Sequence, residues 1–262
     1  MSTDFGDAAA GVSITRDGAV LRVELCRPEI RNAQTPSLWR ALSKIPEFVE
    51  SFDCAAVVVT GQGESFSAGL DRRMFTPEGI PGEVSLLELA QAPDDEIDAF
   101  IRQAQAGFTW PRHIDQPVIA YVQGHAVGAG CQLALAADMT VFAPDAQLAL
   151  KESTWGLIPD LGVTGPLVAA VGYQRAFEIC ATARWVDATE AVGLGLGVAV
   201  IPAEQWKGHQ DDLLGVLGAL PPGTVGDLKS VLRDAQSGDE QLSRERRTQI
   251  RRLRSLSESM GR

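Results

Sequence analysis

Residues 117–167 read PVIAYVQGHAVGAGCQLALAADMTVFAPDAQLALKESTWGLIPDLGVTGPL, and the fold turns on this stretch. Pro117–Val122 is a short, β-rich apolar run of the kind that forms a buried strand. It passes Gly124 and reaches Gly128-Ala129-Gly130, where small residues open a helix expected to run to Ala137. The first N–H groups of a helix lack intrahelical acceptors, and the helix dipole adds about half a positive charge there. Such a turn suits an anion, including one that develops only during a reaction. A plain strand-to-helix turn also accounts for the glycines, so the turn alone does not decide. It lacks GxGxxG spacing, and no Gly-Lys-Ser/Thr follows, so dinucleotide and P-loop sites are set aside.

Further along, Glu152 and Asp160 stand eight positions apart, flanked by Trp155-Gly156 and Ile158-Pro159. Burial beside apolar residues raises a carboxyl pKa toward the range useful for acid–base work. Two solvated loop acids fit the same spacing, because the chain holds 34 acidic residues.

Upstream, Val12–Leu25 reads as two strands around Asp17-Gly18, a hairpin signal. Pro36–Ser51 has helical spacing with proline in its first turn. Ala55–Thr60 is a short buried strand. It leads to Ser67-Ala68-Gly69-Leu70-Asp71, a turn able to offer a second backbone N–H. Thr76–Asp95 reads as irregular and Asp98–Trp110 as helical. Within Met74–Trp110, Phe75, Ile80, Leu86, Leu87 and Phe108 suit either an apolar pocket lining or ordinary packing. Met139–Ala143 and Val198–Ile201 read as strands. Val163–Val171, Arg175–Thr182 and Asp187–Val192 read as helices. From Glu204 onward the pattern is helical, interrupted at Pro221-Pro222-Gly223, which places a soft boundary near residue 203. Leu242–Leu256 carries a run of arginines (Arg244 to Arg254) better suited to a solvated helix face than to phosphates.

The net charge of −11 argues against general nucleic-acid binding, which needs clustered cations. Cys26, Cys54, Cys131 and Cys180 form no CxxC pair and are expected as free buried thiols. His113, His125 and His209 show no metal-ligand spacing, so no metal site is expected. Neither a secretion signal nor a membrane span is read, and a cytoplasmic location is the expectation.

These segments together resemble the crotonase superfamily, the enoyl-CoA hydratase/isomerase family. The resemblance rests on Arg27-Pro28 with Arg31-Asn32-Ala33, on Ser67–Asp71, on Gln123–Gly130, on Ala136-Ala137-Asp138 and on Gly156–Pro159, in that order. It implies an α/β fold, a spiral of ββα units over 1–202, with a helical C-terminal trimerisation region over 203–262. It implies an acyl-CoA substrate and a homotrimer or dimer of trimers. By position, the backbone N–H groups of Leu70 and Ala129 would form an oxyanion hole. Arg27, Arg31, Ala33, Ala68, Asp71, Gly128 and Gln132 would line the substrate and CoA site, and Glu152 and Asp160 would be catalytic. Coenzyme A enters as part of the substrate, with no separate cofactor and no metal.

The departures bear on the reaction. Where hydratases of the family carry their first glutamate, this chain has Gln132, and an amide cannot act as a carboxylate base. Glu152 matches the second. The Glu–Asp spacing resembles dienoyl-CoA isomerases and hydroxyacyl-CoA hydrolases. The favoured expectation is therefore isomerase-type proton transfer. Hydration or thioester hydrolysis at the same site, and a non-catalytic acyl-CoA-binding protein, stand as alternatives.

Overall fold

The computed structural model describes residues 9–52 and 54–234. The Arg244–Arg254 run and Leu242–Leu256 lie outside them.

Strands β1 (Val12–Asp17) and β2 (Val20–Leu25) form the expected hairpin, with Val12 opposite Leu25 and Asp17 opposite Val20. The expected helix over Pro36–Ser51 is instead two helices, α1 (Pro36–Leu42) and α2 (Ile45–Phe52). The break follows from Pro46, which has no N–H to donate and whose ring crowds the carbonyl of residue 42. Thr35 caps α1, its hydroxyl accepting from Leu38 N–H.

Strand β3 (Ala56–Gly61) pairs in parallel with β2, so Val20 faces Ala56 and Leu25 faces Gly61. Then come α3 (Leu86–Leu89), one turn inside the segment expected to be irregular, and α4 (Asp94–Thr109). A capping box between Ser85 and Glu88 makes the α3 turn. Strands β4 (Val118–Val122) and β5 (His125–Val127) precede α5 (Ala129–Ala136). β6 (Met139–Phe142) and β7 (Gln147–Ala149) follow. Helix α6 (Thr164–Thr182) is interrupted at Gly172, whose φ of 74° is not helical, in keeping with the two helical segments expected there. β8 (Val186–Asp187), α7 (Ala188–Gly193), β9 (Ala199–Val200), α8 (Trp206–Gly218) and α9 (Thr224–Asp234) complete the described chain.

The main sheet runs β1-β2-β3-β4-β6-β9, parallel beyond the hairpin, and a smaller sheet runs β5-β7-β8. A parallel sheet is covered on both faces, and its strands alternate between two apolar layers. Val118, Ala120 and Val122 of β4 join the larger core with Val57, Val59, Leu38 and Phe108. Ile119 and Tyr121 face the other way with Val58 and Val141, under Trp206, Leu213 and Leu214 of α8. Helix α9 is held by Asp138, which pairs with Lys229 at 2.7 Å and with Arg233 while accepting from Val118 N–H.

Phe108 packs edge-on against Trp39 at 5.8 Å and is 1% exposed, so it is core rather than pocket lining. Among the cysteines, Cys54 and Cys131 are buried as expected, while Cys26 and Cys180 are only partly buried. No helix among the described residues is long and apolar enough to cross a membrane.

Candidate active site

Two turns meet where the sheets approach each other. An isolated bridge joins Ser67 to Ala126, and another joins Gln34 to Leu70. A β-carbon at Gly69 would lie 2.3 Å from the Val127 carbonyl oxygen and 3.5 Å from the Ala129 nitrogen. The 67–71 turn therefore lies directly on the turn that opens α5. Gly128 adopts φ 49° and ψ −118°, a backbone that side-chain-bearing residues rarely enter, and this aims the first turn of α5.

Three of the neighbouring donors are occupied. Gly69 N–H donates to Ser67 Oγ (3.1 Å), Asp71 N–H to Gln34 O (2.8 Å) and Gly128 N–H to Ala149 O (2.8 Å). The N–H groups of Leu70 and Ala129 have no acceptor among the described residues. Two unused donors on touching turns, one at a helix N-terminus, make an anion-binding arrangement.

A buried polar frame holds these turns. Asn32 accepts from Arg27 N–H and donates to Gln62 O and Ser65 O. Gln34 donates to Ser67 Oγ and accepts from Trp39 Nε1, and Ser67 Oγ donates to Asn32 O. Asn32, Gln34 and Ser67 are each no more than 1% exposed. Sequence reasoning quoted Asn32 and Ser67 within motifs without giving either side chain a role, and passed over Gln34. The available signal was three small or amide residues beside runs that must be buried.

The residues expected to line the CoA site lie on this frame. Arg27 donates to Ala33 O (3.1 Å) and faces Asp71 at 3.5 Å. Ala33 is buried, and Ala68 N–H donates to Arg31 O. Asp71 is 6% exposed and caps the 3₁₀ turn Arg72–Phe75. Bonds from Arg73 hold its carboxyl below the ordinary carboxylate range. Arg31 and Arg72 have exposed side chains on adjoining segments.

Glu152 opens a second 3₁₀ turn, Glu152–Trp155, and its Oε1 lies 3.5 Å from where a Gly128 β-carbon would be. Behind it, Lys151 donates to Ala183 O and stands 4.7 Å over the Trp185 ring. Glu152 Oε1 accepts from Gln132 Nε2 at 2.7 Å, while Oε2 is buried without a protein partner. Leaving a buried acceptor unpaired costs about 1–3 kcal/mol, so this oxygen is available to a proton or a bound group. Burial raises the Glu152 pKa, with the nearby Asp160 charge adding to the rise. Asp160 is likewise raised by burial. Gln132 is 2% exposed, and its Oε1 accepts from Leu161 N–H at 3.0 Å. One amide thus ties Glu152 to the Asp160-Leu161 strand of chain. Asp160 is near enough for its charge to act on Glu152, and the Glu152 carboxylate lies beside the Gly128 turn that opens α5. Among the described residues no cluster of His, Cys, Asp and Glu suits a metal ion.

Comparison with known proteins agrees with this architecture. The family model described as enoyl-CoA hydratase/isomerase matches residues 15–260. An enoyl-CoA hydratase assigned in Mycobacterium tuberculosis is 31% identical over 196 residues, 74% of this chain and 69% of that protein. The human mitochondrial Delta(3,5)-Delta(2,4)-dienoyl-CoA isomerase is 34% identical over 195 residues, 71% of this chain and 56% of that protein. A rice peroxisomal fatty acid beta-oxidation multifunctional protein is 32% identical over 186 residues, 71% of this chain, a match spanning only 24% of that longer protein. A Thermobifida fusca YX protein named for enoyl-CoA hydratase activity, crystallised with acetoacetyl-CoA, superposes with a TM-score of 0.86 at 40% identity, over 95% of this chain and 96% of its own. The chain belongs to the enoyl-CoA hydratase/isomerase family, with the crotonase fold.

Proposed function

We propose that this chain moves a proton on an acyl-CoA thioester, as an isomerase-type enzyme, with Glu152 as the base. The observation that carries the reading is the environment of Glu152: an amide, Gln132, fixes one carboxylate oxygen, and the other is buried and unpaired. One poised carboxylate can take a proton from one carbon and return it to another. The Leu70 and Ala129 N–H groups would hold the thioester oxygen as it gains enolate character, each donor worth about 3–4 kcal/mol in the transition state. Asp160 would serve as second acid or orient Glu152. The thioester itself acidifies its α-proton, so this reading assigns no metal or redox cofactor.

Arg31 and Arg72, exposed beside Ala68 and Asp71, are suited to CoA phosphates, while Arg27 and Asp71 hold the loop that presents them. The resemblance to acyl-CoA proteins and the exposed, stacked Tyr173 and Phe177 on α6 (71% and 62% exposed) favour a homotrimer or dimer of trimers.

A second reading is hydrolysis or hydration, favoured by the proximity of Asp160 to Glu152. The test is mass spectrometry with free-thiol detection on an acyl-CoA panel, using wild type and Glu152→Gln. Glu152-dependent movement of a double bond at unchanged mass supports isomerisation. Released CoA means hydrolase, and a gain of water means hydratase. CoA esters bound without turnover would leave a binding protein.

A further inference from the structure

The two 3₁₀ turns that flank the site end in aromatic residues that touch. Arg72–Phe75 begins directly after Asp71, two positions past the Leu70 donor, and ends in Phe75. Glu152–Trp155 begins at the candidate base and ends in Trp155. The Phe75 and Trp155 rings stack with centroids 4.5 Å apart and planes 23° from parallel. In a 3₁₀ turn, side chains at i and i+3 eclipse one another. The Trp155 ring therefore lies on the same side of its turn as the Glu152 carboxylate, one step outward.

The stack is not core. Trp155 is 53% exposed, and neither ring belongs to the two buried apolar clusters. The stack leaves a flat apolar surface open to solvent, and it joins the loop carrying one backbone donor to the loop carrying the carboxylate.

We propose that Phe75 and Trp155 form an aromatic lip that determines which acyl groups reach Glu152. It selects apolar acyl chains whose portion beyond the reacting carbons is flat, conjugated or aryl, over short or hydroxylated ones. The inference rests on the acyl-thioester reading above and specifies its substrate class. A planar acyl group gains stacking on the lip, whereas a short chain ends before it and a hydroxylated chain must shed water there.

The experiment compares crotonyl-CoA, 3-hydroxybutyryl-CoA and cinnamoyl-CoA as ligands of the full chain by calorimetry, with steady-state kinetics on those turned over. The proteins are wild type, Trp155→Ala, Trp155→Phe and Phe75→Ala, each checked for its melting temperature. Wild type is expected to bind cinnamoyl-CoA about tenfold more tightly than crotonyl-CoA, within the range of one aromatic stack. Trp155→Ala and Phe75→Ala should each erase that preference while leaving crotonyl-CoA affinity within about twofold, and Trp155→Phe should restore most of it. Cinnamoyl-CoA has no γ-proton to move and reports binding alone; in the turnover of 4-phenylbut-3-enoyl-CoA, which does isomerise by proton transfer, the loss should fall on KM rather than kcat.

Equal weakening of all ligands, or an unchanged preference in both alanine variants, would overturn the lip while leaving the acyl-CoA reading intact. Absence of binding to any CoA ester by wild type would overturn both, and that outcome is separate from the other two because it needs no variant.

Discussion

Gln132 Nε2 donates to Glu152 Oε1 at 2.7 Å while Gln132 Oε1 accepts from Leu161 N–H at 3.0 Å, so a single buried amide sets the orientation of the candidate base. Because both ends of that amide are engaged, changing it alters the base without touching the backbone donors. Gln132→Glu places a second carboxylate against Glu152. Like charges disfavour ionisation, so the acid limb of the kcat/KM profile should move to higher pH by about a unit or more. Gln132→Leu removes the tether, and kcat should fall while the binding of CoA alone is unchanged. A pH–rate profile of the two variants checks this, and an unmoved acid limb in Gln132→Glu would count against the contact.

Glu152 itself should reveal its burial through stability. Its pKa is raised in the folded protein above the ordinary 4.5. The folded state therefore holds the proton more tightly than the unfolded chain. Stability from this group is present below the unfolded value and is lost as pH rises through the folded one. Glu152→Gln, which is neutral throughout, should then raise the melting temperature at pH 7 relative to wild type, with little difference near pH 4. The same substitution should cut turnover by about 10²–10⁴-fold, the range for removing a general base. Thermal melts at the two pH values separate the claim from a generic effect of mutation.

The contact of the two turns predicts a strict requirement at Gly69. A β-carbon there meets the Val127 carbonyl at 2.3 Å, and its φ is +79°. Gly69→Ala must push the turns apart, costing about 1–3 kcal/mol for the backbone alone. It should also lower kcat by up to about 10²-fold by misplacing a donor. At Gly128 the space is adequate, with Glu152 Oε1 3.5 Å away, but φ is +49°. Gly128→Ala should therefore cost stability through conformation rather than collision. Denaturant melts with parallel kinetics distinguish the two.

If the donor at position 129 is the N–H, its side chain is dispensable. Ala129→Gly should keep turnover within about twofold and lose at most about 1 kcal/mol of stability through helix propensity. A loss of a hundredfold would mean that the methyl group, packed in the core, does more than fill space.

Much of this arrangement was legible in the residues. The hairpin at Asp17-Gly18, the buried strand before Gly124 and the small-residue opening of α5 are local signals, and they stand where the periodicity puts them. Strands β5, β7 and β8 were not read, because two or three residues carry no period to detect. The break between α1 and α2 is written in Pro46, but a regular apolar spacing runs across it and masks the signal. The site was legible as far as motifs reach. Asp160 does act on Glu152 through its charge, but the bond from Leu161 N–H to Gln132 Oε1 spans chain positions that only the tertiary fold brings into contact. The same holds for Asn32, Gln34 and Ser67, polar residues that composition assigns to the surface and that the fold buries as a frame.

The close approach of Gly69 to Val127 has a consequence for how such a scaffold can change. The spacing of the two donors is fixed by main chain pressed on main chain, so no side chain at 132, 152 or 160 is needed to maintain it. On the proposed reading, the positions assigned the chemistry can vary while the grip on a thioester oxygen stays constant. A molecule built this way can exchange one reaction for another by point substitution, because the component hardest to reinvent is stored in the backbone and inherited intact.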